Sequence, residues 1–185
     1  MLEDFFLSDG LNSAFNTSLE AMIHYMGNDA IPENSLRSWV SCLSFMMNQD
    51  TYGLIVQHLT NSEHFDISVS DQKEWYDPRH ENLEIQDVTE KAAYALCLNA
   101  LMLKFPYKIA RFKGRGMHID LEILPENGVR YENIEVSGTR YDKEIFPRIK
   151  EKKSQYERSP VQSPGWVSIA CFETVQNRLH RMEGQ

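Results

Sequence analysis

The sequence predicts a mixed α/β domain whose core runs helix, three strands, helix, strand, preceded by a helical N-terminal extension. Three observations carry that expectation. An Ala- and Leu-rich run from Asp87 to Phe105 is apolar around most of a helical circumference, so it calls for burial against a sheet. Two alternating runs, His118–Leu124 and Asn133–Gly138, flank Asn127-Gly128, a strong two-residue hairpin signal. Finally, Trp166–Phe172 is nearly continuous in apolar residues, as a strand covered on both faces must be.

The elements follow in order. Leu11, Phe15, Leu19, Met22, Ile23 and Met26 recur at three- and four-residue spacing and predict a helix ending at Gly27-Asn28. A second helix restarts after Ile31-Pro32, with Leu36, Trp39, Val40, Leu43, Met46 and Met47 as its stripe. Tyr52–Leu59 reads as its continuation beyond Gly53. The methionines and aromatics at this spacing are core filler. Residues 60–86 are polar, and Trp75–His80 reads as a loop, which sets a boundary between an acidic helical extension (1–86) and the core (87–185). His58, His64 and His80 match no compact zinc spacing.

Within the core, Asp87-Val88-Thr89-Glu90 opens the helix. Tyr107–Phe112 alternates as a strand and turns at Lys113-Gly114-Arg115-Gly116. Ile145–Tyr156 reads as a helix that tolerates Pro147 in its first turn. The strands on either side of that helix should be parallel, because a helical crossover joins them. The tail from Glu173 reads as a short helix or a frayed end.

The 185-residue chain is 42% apolar and 25% charged, the profile of a soluble globular domain with a sizeable core. No apolar run is long enough for a membrane span, and the acidic start lacks a secretory signal. Cys42, Cys97 and Cys171 are distant and apolar in context, which points to buried thiols in a reducing, cytoplasmic compartment. The net charge of −8 is uneven. Residues 1–100 hold 16 acids and 4 bases, and residues 101–185 hold 11 acids and 15 bases. Lys104, Lys108, Arg111, Lys113 and Arg115 occur with no acid among them, so this stretch is the candidate to track a phosphate backbone. A basic–acidic contact between the halves, or a solvated surface, is the competing reading.

The hairpin carries the chemistry. With Asn127-Gly128 as its loop, Glu122 faces Asn133, Asp120 faces Glu135 and His118 faces Ser137. Ile119, Leu121, Ile123, Ile134 and Val136 then line the opposite, apolar face. Two opposed carboxylates repel, so a cation or a proton is expected between them. Mg²⁺ (or Mn²⁺) suits Asp120 and Glu135, with Glu122 or Asn133 as a further oxygen ligand. His118, Asp120 and Glu122 offer a transition-metal alternative. A polar sheet face meeting solvent is the remaining alternative.

The helix–three strands–helix–strand order, with Asp120 on the second strand and Glu135 on the third, resembles the PD-(D/E)xK nuclease superfamily with its restriction-endonuclease-like core. The resemblance covers residues 87–173. It implies that Asp120 and Glu135 bind one or two Mg²⁺ ions and that Glu90, or secondarily Asp87, supplies the first-helix acid. It implies also a lysine two residues beyond Glu135, where this sequence has Ser137. Lys150 or Lys153 on the following helix is the expected substitute, and Gln155-Tyr156 loosely matches a Gln-and-Tyr element of some members. The activity so implied is hydrolysis of DNA or RNA, in a setting such as defence or mobile elements. The N-terminal helices would then be a regulatory or partner-docking module. A catalytically silent member, serving as a protein-interaction or nucleic-acid-binding subunit, is the alternative that Ser137 and the overall acidity favour.

Overall fold

The computed structural model describes residues 12–26, 30–47, 49–58, 61–70, 82–113, 120–159 and 163–184. Its elements are β1 (Asn12–Ser18), α1 (Leu19–Met26), α2 (Glu33–Met46), β2 (Thr51–His58), β3 (Asn61–Ser70), α3 (Ile85–Lys104), β4 (Tyr107–Phe112), β5 (Leu121–Pro125), β6 (Glu132–Thr139), α4 (Ile145–Arg158), β7 (Gly165–Cys171) and β8 (Gln176–Met182). The strands form one mixed eight-stranded sheet in the order β1-β3-β2-β8-β7-β6-β5-β4.

The expected core elements are present. Helix α3 buries twelve residues from Val88 to Leu101. It packs on β6, β7 and β8 of the sheet and on the helices α1 and α2, which share its core. Strands β4, β5 and β6 form an antiparallel meander, and α4 connects β6 to β7, which run parallel as a helical crossover requires. All seven residues of β7 are buried. Trp166 and Ala170 face the large core under α3. Val167, Ile169 and Cys171 join Ile145, Ile149 and Tyr156 of α4 in a smaller core on the opposite face. The three cysteines are free and buried. No described helix is long and apolar enough to cross a membrane.

The helical reading of the N-terminal extension is corrected. Residues 12–18, 51–58 and 61–70 are strands of the same sheet. In β2 the burial alternates, with Tyr52, Leu54 and Val56 inside. A short apolar run satisfies both periods, and pairing with β3 and β8 selects the extended one. Helix α1 starts only at Leu19, where the Ser18 hydroxyl accepts the Ala21 N–H at 3.1 Å and satisfies a free donor of the first turn. The helices α1 and α2 bury Met22, Met26, Leu36, Val40 and Leu43 in the core they share with α3. Their apolar faces are thus spent on the fold rather than offered to a partner. The tail after Glu173 is also a strand. Asn177, Leu179 and Met182 of β8 are buried, and Val175, at φ 47°, closes the turn from β7.

The hairpin keeps its expected register with a different turn. Leu121 pairs with Ile134, Glu122 with Asn133 and Ile123 with Glu132. The bond from Gly128 N–H to Pro125 O (3.0 Å) makes Glu126 and Asn127 the central turn residues. A type I′ turn centred on Asn127-Gly128 needs positive φ at Asn127, and Val175 is the only described non-glycine residue with one. Residues 126–131 form the connection, and Glu126 N–H is drawn instead to Pro106 O before β4. The longer loop spans the same offset, so the Glu122–Asn133 pair survives, while the His118–Ser137 pair falls partly outside the described residues.

Candidate active site

Where β5 begins, its partner β6 continues past it, and the open end of the ladder is closed by a side chain. Asp120 N–H donates to Ile134 O (3.2 Å), and its Oδ2 accepts the Val136 N–H (2.7 Å). One residue back on β6, Glu135 is 2% exposed and turns away from the apolar residues Ile134 and Val136, toward α4. Both carboxylates reach the same ammonium. Lys152 Nζ lies 2.9 Å from Glu135 Oε2 and 3.7 Å from Asp120 Oδ2. The cation demanded between opposed carboxylates is therefore a lysine of this chain. The other Glu135 oxygen, Oε1, is buried without a hydrogen-bond partner.

The electrostatics match that geometry. Burial raises the Glu135 carboxyl to about 7, with Asp120 adding to the rise and Lys152 opposing it. Burial also raises Asp120, Lys152 and the Val136 N–H opposing, and Glu90 adds a further upward push. Burial works to lower Lys152, yet attraction to Asp120 and Glu135 outweighs it and holds the ammonium above the ordinary lysine range. Glu135 is thus a carboxyl able to exchange a proton near neutrality.

Asp120 and Lys152 open into a cleft of about 530 Å³ between the N-terminal turns of α3, the end of β6 and α4, and Glu135 is buried behind them. Glu90 lines the cleft and accepts a hydrogen bond from Tyr94. Asp87 does not line it. Arg148, Lys152 and Gln155 line it from α4, whereas Lys150 and Lys153 do not. The lysine that meets Asp120 and Glu135 is Lys152, not Lys150 or Lys153. Lys150 is exposed, and Lys153 lies toward His180 of β8, where its charge helps burial lower that imidazole to about 4. A readable signal marks Lys152. Ile145, Ile149 and Tyr156 form the buried stripe of α4, and residue 152 falls on that stripe between them. Arg148, one turn earlier, donates from Nη1 to Ser137 Oγ (3.2 Å), so a cation also covers the position where the superfamily pattern has lysine.

Other candidates are otherwise engaged. Glu122 pairs with Lys113 (3.2 Å), and Asn133 donates to Ser163 Oγ (2.6 Å). Within the basic run, Lys104 pairs with Glu63, Arg111 stacks over Tyr131 at 4.2 Å, and Lys108 is exposed on β4, the sheet edge. None of Lys108, Arg111 and Lys113 lines the cleft, although Lys113 N–H donates to Asp120 O (3.0 Å) at its back. Arg115, His118 and His80 lie outside the described residues. His58 pairs with Glu183 at 3.2 Å.

Comparison with family models, with curated proteins and with solved structures returns no match.

What the cleft can do follows from its own side chains. Among the described residues no group of three or more His, Cys, Asp and Glu side chains converges on one metal position. A softer ion calls for several protein ligands, imidazole or thiolate among them. Mg²⁺ asks for less, since one or two carboxylates suffice when waters and substrate phosphates complete the shell. Two convergent carboxylates, one with a buried unpartnered oxygen, fit that requirement.

Proposed function

We propose that the protein is a metal-dependent phosphodiesterase of nuclease type, similar in plan to the PD-(D/E)xK superfamily, with its centre at Asp120, Glu135 and Lys152. The observation that carries this reading is the convergence of both carboxylates on Lys152, which lines a polar cleft with Asp120, while Glu135 lies behind them with Oε1 buried and unpartnered. The order α3-β4-β5-β6-α4-β7, with β6 and β7 parallel, supports the likeness in plan.

Asp120 and Glu135 would hold Mg²⁺ or Mn²⁺. When bound, the ion neutralises charge on the phosphodiester and orients a water for in-line attack. Asp120 is held in position by the Val136 N–H and so presents its carboxylate without rearranging. The attacking water would give up its proton to solvent, its oxygen bonding to phosphorus as the bond to one ester oxygen breaks and that oxygen takes a proton from solvent. Lys152 would offer its ammonium to the extra negative charge of the transition state. Arg148 adds a second cation on the same wall. Glu90, on the facing wall, would add a further negative charge that favours a cation in the cleft.

One observation favours a second reading, a catalytically silent nucleic-acid-binding subunit. The Lys152–Glu135 pair neutralises the site with no added cation. Incubation of plasmid, single-stranded DNA and RNA with Mg²⁺, Mn²⁺ or chelator separates the two. The first reading expects metal-dependent fragments that Asp120→Ala abolishes; intact substrates with every metal would support the second.

A further inference from the structure

The mouth of the cleft carries an exposed aromatic that the hydrolytic centre does not use. Tyr141 sits between β6 and α4, lines the cavity and is 43% exposed. Its ring has Arg140 at 5.6 Å and Lys143 at 5.4 Å from the ring centroid. The backbone beneath it is fixed. Tyr141 N–H donates to Thr139 Oγ1 (3.2 Å), Glu144 N–H donates to Tyr141 O (3.0 Å), and Asp142 N–H donates to the Glu173 carboxylate (2.8 Å). A second exposed apolar side chain, Ile85 at 42%, lines the same cavity from the start of α3.

We propose that Tyr141 is a stacking platform for an unpaired base, and that the substrate is single-stranded nucleic acid or a frayed end. The proposal rests on the phosphodiesterase reading of the adjoining centre and narrows its substrate. An aromatic ring gains by stacking only on a base whose face is free, and inside a duplex those faces are covered by neighbouring bases. A cavity of about 530 Å³ is of the size that takes one nucleotide-sized group, not a double helix. Arg140 and Lys143 are exposed and long, so either can swing from the ring to a phosphate as a base arrives. The cleft also holds Glu144 and Glu151, which disfavour phosphate. Glu144 is taken up by Arg148 and the Thr139 hydroxyl, which leaves Arg140 as the cation that lines the Tyr141 side of the mouth, with Lys143 beside the ring.

The test is fluorescence anisotropy with a short fluorescein-labelled oligothymidylate, and with the same strand annealed to its complement, in chelator to prevent cleavage. The single strand should bind more tightly than the duplex. Tyr141→Ala should weaken the single strand about tenfold, Tyr141→Phe should restore it, and duplex binding should change little in either. Equal affinity of wild type for the two forms, or single-strand binding unmoved by Tyr141→Ala, would overturn the proposal. Arg140→Ala combined with Lys143→Ala should flatten the salt dependence while leaving the Tyr141 effect in place. Cleavage assays on the same variants keep the two readings apart. Tyr141-dependent binding without hydrolysis by any metal would leave the platform standing and remove the enzyme. Hydrolysis indifferent to Tyr141 would do the reverse.

Discussion

Glu135→Gln should make the protein more stable above neutral pH while disabling the site. In the folded chain the Glu135 carboxyl is raised from 4.5 to about 7, burial being the main cause. The native state therefore holds this proton more tightly than the unfolded chain does, and unfolding free energy falls as pH rises between those two values. At 1.36 kcal/mol per pKa unit, the loss is on the order of 3 kcal/mol once both states are ionised. A glutamine of nearly the same shape carries no charge, so the variant should lack that part of the pH dependence. Asp120, also raised, contributes a loss of the same sign in both proteins. Urea denaturation followed by tryptophan fluorescence from acid to mildly alkaline pH reads the difference directly. The wild-type curve should fall away from the variant's through this window, by a large fraction of a typical domain's stability. Parallel curves would refute the assignment of a strained, buried carboxylate at position 135. The strain has a purpose in this account, since a charge that is costly alone is relieved when a cation arrives.

Mn²⁺ should raise the Tm of the wild type in a concentration-dependent manner, and differential scanning fluorimetry should show that shift lost in Glu135→Gln. Lys152→Ala should lower cleavage by about a hundredfold or more, with Lys150→Ala and Lys153→Ala near wild type in the same kinetic assay, because Lys152 alone of the three lines the cleft. Gly138→Val should destabilise the fold by about 1–3 kcal/mol in urea titrations. A Cβ there would lie 2.7 Å from Thr89 O and 2.9 Å from Thr89 Cγ2, where α3 rests on β6.

From α3 to β7 the chain was legible because each element has one dominant signal, whereas β8, read as a short helix or a frayed end, was not. The buried circumference of α3, the alternation of β4 to β6 and the apolar run of β7 each admit one reading, and the structure has them all. The N-terminal strands were not legible. Tyr52, Ile55, Val56 and Leu59 fit helical spacing as readily as Tyr52, Leu54 and Val56 fit alternation, and β3 hides Phe65, Ile67 and Val69 among polar residues. Only the partner strands decide such cases. At the site, Asp120 and Glu135 came from register alone, which the longer loop preserved. Lys152 did not, because choosing among neighbouring lysines needs the rotational phase of α4. Ile145, Ile149 and Tyr156 define that phase, and Lys152 interrupts their stripe. Arg148 at Ser137 and Tyr141 at the mouth depend on how β6 meets α4, which no local pattern reports.

The most direct measurement is cleavage of a labelled single-stranded oligonucleotide by wild type, Asp120→Ala and Lys152→Ala in Mg²⁺ and in chelator. Fragments should form only with metal and wild type. Fragments that persist in Asp120→Ala or in chelator, or an intact strand in every lane, would contradict a metal-dependent centre built on these carboxylates and this lysine.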